Sequence, residues 1–107
     1  MKSFYENVSD WIEQAGEILK LSKEQMKVLS EPRRIIELSV PLKRDNGNVE
    51  SFKAYRVQHN NALGPFKGGI RFHPQVDLDE VKALATISSM NKSVVGLPYR
   101  GGKGGVE

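Results

Sequence analysis

The sequence predicts an α/β fold in which a small mixed sheet follows N-terminal helices. Three patterns carry this expectation. Apolar residues recur at helical spacing before Pro32, they alternate with polar residues after Arg34, and a strand–helix–strand pattern fills the remainder.

Val8, Ile12, Ala15 and Leu19 form one apolar stripe, flanked by Trp11 and Ile18, and predict a helix over residues 6–20. Ser22 and Gln25 read as a capping box, with Leu21 and Met26 placed as a hydrophobic staple, so a second helix starts after Ser22. That helix is short, because the residue before Pro32 disfavours helical backbone. Ile36, Leu38, Val40 and Leu42 then alternate with polar residues and with Pro41, which marks a half-buried strand at a sheet edge or strand end. Asp45-Asn46-Gly47-Asn48 is turn chemistry. The return strand covers Val49 to Gln58, with Phe52 and Ala54 on one face and Tyr55 and Val57 on the other.

A glycine-rich loop is expected from Asn60 to Gly69, then a short strand at Ile70-Arg71-Phe72 ended by Pro74. Asp77 and Glu80 make a second capping pair for a helix from Leu78 to Asn91, whose apolar positions are Leu78, Val81, Leu84, Ala85 and Ser88. Val94, Val95 and Leu97 predict a last short strand leading into the glycine-rich residues 101–105. With 107 residues and no linker or repeat, the chain reads as one domain.

Composition narrows the function. A net charge of +3 from interspersed residues builds no basic stripe for nucleic acid. The absence of cysteine excludes disulfides and thiolate metal sites. No window has the length of a membrane span, and the N-terminus lacks the apolar core of a signal peptide, so a cytoplasmic location is the expectation. His59 and His73 have no carboxylates at ligand spacing and read as loop-packing residues rather than a metal site.

Two clusters remain: Gly64-Pro65-Phe66-Lys67-Gly68-Gly69 and Gly101-Gly102-Lys103-Gly104-Gly105. Each is readable as a tight turn with its lysine in water, the glycines supplying positive φ. Alternatively, the two lysines meet in one pocket, where paired cations suit a carboxylate substrate and lower each other's pKa, preparing one as a base. Neither cluster is a phosphate loop. Leu97 stands where the Walker pattern needs its first glycine, Gly104 where it needs Ser or Thr, and Glu107 where the dinucleotide pattern needs glycine.

The stretch from Tyr55 to Pro74, continued through Val76–Ala85, Leu97-Pro98-Tyr99 and Gly101–Gly105, resembles the glutamate dehydrogenase family of amino-acid dehydrogenases, and the likeness reaches back to about Arg33. The resemblance implies NAD(P)-dependent oxidative deamination of glutamate to 2-oxoglutarate and ammonia. It implies that Lys67, with backbone of Gly68 and Gly69, holds the substrate side-chain carboxylate, and that Lys103 activates the attacking water. The spacing of the two lysines matches the family.

Departures from the family shape further expectations. Asn91 stands where a third lysine holds the substrate α-carboxylate, and lysine follows one place later at Lys92. One residue is about 100° of helical rotation, which predicts that Lys92 points elsewhere and that amino acids bind more weakly. Arg100 occupies a usual glycine position. The family's proton-shuttling aspartate and Rossmann domain match nothing in these residues, so the chain reads as a partial N-terminal substrate-binding and dimerisation domain. NAD or NADP belongs to the full-length family and is not bound by this chain, which alone is expected to be inactive. The alternative is a non-catalytic interaction module that forms a homo-oligomer or joins a full-length homologue. Residues after about Leu97 are expected to form an exposed, mobile edge.

Overall fold

The computed structural model describes all 107 residues. The elements are α1 (Phe4–Ile18), α2 (Lys23–Ser30), β1 (Arg34–Lys43), β2 (Val49–Gln58), β3 (Phe66–Lys67), β4 (Ile70–Phe72), α3 (Leu78–Val94) and β5 (Arg100–Val106). The α/β class with a mixed sheet is as the sequence predicts. Strand order is β1-β2-β5-β3, and β4 continues beside β5 beyond β3. The hairpin partners and β5 are antiparallel, whereas β3 and β4 run parallel to β5. Pro41 sits on edge strand β1, where a missing amide breaks no central ladder.

Both early helices start on capping boxes, at Ser3 with Glu6 and at Ser22 with Gln25. The buried side of α1 is Val8, Ile12 and Gly16; Ala15 and Leu19 are exposed, so the predicted stripe is rotated from its expected position. A buried cluster of Val8, Ile12 and Ala83 joins α1 to α3, with Leu29 and Met90 packed against it. On its other side α3 covers the sheet through Val57, Val76, Val81 and Ala85. Ser89, rather than Ser88, is the buried serine of α3.

The expected strand at Val94–Leu97 is instead the end of α3. Val94 is its last residue, and Gly96 takes φ 71° after the cap. Leu97 N–H donates to Lys92 O at 3.0 Å and Gly96 N–H to Ser93 O at 3.2 Å, the paired bonds of a glycine-terminated helix. The glycine-rich segment is itself the strand, central rather than an exposed edge, and Gly101, Gly102, Gly104 and Gly105 are all buried. None of these four has positive φ. Their requirement is space: a Cβ on Gly101 would overlap the Ala85 carbonyl and Ser89. Helix α3 therefore rests directly on the backbone of β5.

Candidate functional site

Paired residues of neighbouring strands project from the same sheet face. Val57 is paired with Lys103 and is fully buried beneath α3, so Lys103 leaves the sheet on the α3 face. Lys67 is paired with Gly101, whose missing side chain would point at α3, so Lys67 shares that face. Between β3 and β4, Gly68 and Gly69 interrupt the edge strand. A side chain on Gly68 would strike the Gly102 carbonyl, and Gly104 N–H donates to Gly69 O at 2.9 Å. The Lys103 ammonium lies 4.0 Å from the point where a Gly69 Cβ would stand. The predicted set Lys67, Gly68, Gly69 and Lys103 is thus gathered along one side of β5.

Three groups that sequence reasoning did not place there complete the surroundings. The Arg56 guanidinium donates to Gly68 O at 3.3 Å and fixes the glycine crossing from the opposite sheet face. The Tyr99 ring centre lies 5.9 Å from Lys67 Nζ, within reach of a cation–π contact. Lys92, expected to point away, donates from Nζ to the Lys67 carbonyl and, at 3.3 Å, to the Arg100 carbonyl. Its long side chain spans the angle that one helical position costs. Burial lowers the Lys92 pKa first, followed by the charges of Lys67 and Arg56. Asn91 is exposed and makes no side-chain hydrogen bond.

None of Arg56, Lys67, Lys92 and Lys103 is in a salt bridge; the ion pairs are Lys2–Asp10, Arg44–Glu50 and Arg71–Glu80. The result is a cationic surface without internal counter-ions, chemistry suited to an anion carrying carboxylates. The alternation along β2 gave the one available signal for Arg56. Lys92 had none, since its role depends on side-chain reach.

The glycine-rich run does not fit a dinucleotide. It is a strand with neighbours on both sides, and α3 fills the space above Gly101 and Gly105. A pyrophosphate cradle requires free amides at a strand-to-helix turn. Among clusters of His, Asp and Glu, none of three or more has the geometry for a metal ion. His59 is a packing residue, as expected: its ring bonds Ser89 and the Leu29 carbonyl, each at 2.8 Å.

Residues 32–107 match the family described as Glu/Leu/Phe/Val dehydrogenase, dimerisation domain. An NADP(+)-dependent glutamate dehydrogenase of Pyrobaculum calidifontis is 60% identical over 80 residues, covering 75% of this chain and 19% of the relative. An NAD-specific glutamate dehydrogenase of Clostridioides difficile is 46% identical over 102 residues, covering 95% of this chain and 24% of the relative. The crystal structure of the Peptoniphilus asaccharolyticus glutamate dehydrogenase superposes with a TM-score of 0.94 at 43% identity, over 98% of this chain and 26% of that one. The chain spans about a fifth to a quarter of these relatives. With the family match covering most of its length and including every residue of the cationic site, the chain belongs to the Glu/Leu/Phe/Val dehydrogenase family through its dimerisation domain.

Proposed function

We propose that this chain supplies the substrate-holding part of a glutamate dehydrogenase. The observation that supports this reading is the common face of Lys67 and Lys103, with the Lys103 ammonium beside Gly69. Lys67 holds the side-chain carboxylate of a dicarboxylate substrate, assisted by backbone of Gly68 and Gly69. Lys103 activates the water that attacks the iminium carbon. Asn91 offers a neutral hydrogen bond where a lysine is usual, and Lys92 keeps a positive charge nearby. NAD or NADP, when bound, would supply the hydride acceptor for this oxidation, and the glycine-rich strand β5 does not fit it.

The test has two readouts. In an NMR titration, 2-oxoglutarate should perturb the amides of Lys67–Gly69 more strongly than 2-oxobutyrate, which lacks the distal carboxylate. Lys67→Met should erase that difference; equal responses in the parent chain would refute the assignment. Purified chain should give no glutamate-dependent reduction of NAD or NADP, and turnover would show that it holds the cofactor after all.

A second reading, an assembly module, is favoured by the sheet face opposite α3. Leu38, Ala54, Val106 and Phe72 stand in register across β1, β2, β5 and β4. Leu38 and Phe72 are 52% and 73% exposed, and Val40, Leu42 and Ile70 extend the apolar surface. A continuous apolar face of this kind marks an interaction surface, and a second copy or a longer homologue is its proposed occupant. The two readings are compatible.

A further inference from the structure

Arg100 carries a charge that the substrate reading does not use. Its residue is 3% exposed, yet the only bond its guanidinium makes is a long one, 3.3 Å from Nη1 to the Tyr99 carbonyl. No carboxylate pairs with it. Every fully buried side-chain nitrogen and oxygen in the chain has a partner, so the guanidinium N–H groups without one open to solvent, where they form a fork matched to an oxyanion.

Arg100 lines a cavity of about 290 Å³ between the end of α2, residues 59–63 and the last turns of α3. That volume is near the lower bound for small-molecule sites, roughly 300–1,000 Å³. Leu29, Leu63 and Met90 give it apolar walls, and no aspartate or glutamate lines it. The other polar groups are almost all engaged. The Leu29 carbonyl can only accept, so His59 is protonated on Nε2 and its Nδ1 accepts from the Ser89 hydroxyl. The Ser93 hydroxyl donates to Ser89 O. Asn60 Oδ1 accepts from Ala62 N–H at 2.8 Å, and its Nδ2 has no acceptor in the chain. Two kinds of donor are thus unused, the Arg100 guanidinium and the Asn60 amide, both beside an apolar enclosure. The mouth is bordered by Val28 and Leu63, which are 62% and 66% exposed.

We propose that this cavity is a second binding site, separate from the Lys67–Lys103 surface, for a small monocarboxylate with an apolar body. The carboxylate pairs with Arg100 and accepts from Asn60, while the hydrocarbon part lies against Leu29, Leu63 and Met90. Inorganic oxyanions satisfy the charge but leave the apolar walls unfilled, and neutral alcohols do the reverse.

The experiment is an NMR titration of the 107-residue chain with hexanoate, 1-hexanol and inorganic phosphate in parallel, with thermal unfolding as a second readout. Hexanoate is expected to shift the Asn60, Leu63 and Met90 resonances saturably and to raise the unfolding midpoint, with 1-hexanol and phosphate at least tenfold weaker. Arg100→Met, which keeps a long apolar side chain, should abolish the hexanoate response. Because Arg100 is buried, the exposed rim variant Leu63→Asp provides a check that leaves the core intact; its added negative charge should weaken hexanoate at least fivefold. Equal binding of hexanoate and 1-hexanol, equal binding of phosphate, or hexanoate binding that survives Arg100→Met would each overturn the proposal. So would a hexanoate response confined to Lys67–Gly69.

Discussion

Nδ1 of His59 lies 2.8 Å from Oγ of Ser89, and the same hydroxyl accepts from Gly101 N–H at 3.0 Å. One serine therefore ties the end of β2, the middle of α3 and the start of β5 together, while His59 Nε2 reaches α2 through Leu29 O. This buried connection orders the strand that carries Lys103. Burial lowers the His59 pKa below its usual value of 6.5, with the Leu29 carbonyl opposing that shift in part. The unfolded chain then binds a proton that the folded chain refuses. The His59 contribution to stability is constant above about pH 6.5 and falls as pH drops from there towards the lowered folded-state pKa, by at most about 1.4 kcal/mol per unit. Urea unfolding of the parent chain and His59→Gln between pH 5 and 7 checks this: the variant should lose that slope. An identical slope in both would remove His59 as its source.

Gly101 sets a steric limit on the same junction. A methyl group there would enter the Ala85 carbonyl and the Ser89 side chain, so α3 would have to lift from β5. Gly101→Ala is expected to destabilise the fold by roughly 2–3 kcal/mol, read from the denaturation midpoint. Near-neutral behaviour would mean that α3 does not sit on bare backbone.

Lys20 presents the opposite case, a non-glycine residue where glycine fits. Its φ is 54°, following the Leu19 cap of α1, and its N–H donates to Glu17 O while Leu21 N–H donates to Gly16 O at 2.9 Å. Lysine pays for left-handed backbone that glycine adopts freely. Lys20→Gly should stabilise the chain by about 0.5–1 kcal/mol after allowing for glycine's greater freedom when unfolded. Differential scanning calorimetry would register this as a higher midpoint.

The apolar ladder opposite α3 gives an association test. Phe72→Lys places a charge at the β4 end of the face while changing a side chain that is 73% exposed. The parent chain should self-associate at micromolar concentration by light scattering, and the variant should shift towards monomer with unchanged circular dichroism. A parent chain that stays monomeric across that range would count against self-association through this face.

What could be read from the sequence depended on how far side chains report backbone. The β1–β2 hairpin was legible because Ile36, Leu38, Val40 and Leu42 alternate and Asp45–Asn48 can only be a turn. Its register runs from Arg34 against Gln58 to Lys43 against Val49. The Ser22–Gln25 box was legible because both halves of the cap are side chains. Strand β5 was not, since four glycines leave no alternation to follow, and the β-branched Val94 and Val95 imitated the strand that follows them. Gly96 was the missed signal, a helix stop placed where a strand was expected. Lys67 and Lys103 were identified from their motifs, but Lys92 was excluded by angular position alone, and a lysine side chain is long enough to cancel one step of helical rotation.

Lys92 also provides a direct measure of how closely the cations are gathered. Its lowered pKa has three physical causes: burial first, then the Lys67 charge, then Arg56. Removing one neighbour should restore part of the shift and leave the rest. In Lys67→Met, Lys92 should therefore titrate at higher pH than in the parent, though still below the ordinary 10.5. Lys92 stays neutral more readily in the folded chain than in the unfolded one, so its contribution makes stability rise with pH as 10.5 is approached from the folded-state pKa. That rise should be smaller in Lys67→Met. Reductive ¹³C-methylation followed by NMR titration resolves individual lysines and reads the first quantity directly. No movement of the Lys92 titration on loss of Lys67 would place the two ammonium groups too far apart to share one carboxylate-bearing substrate.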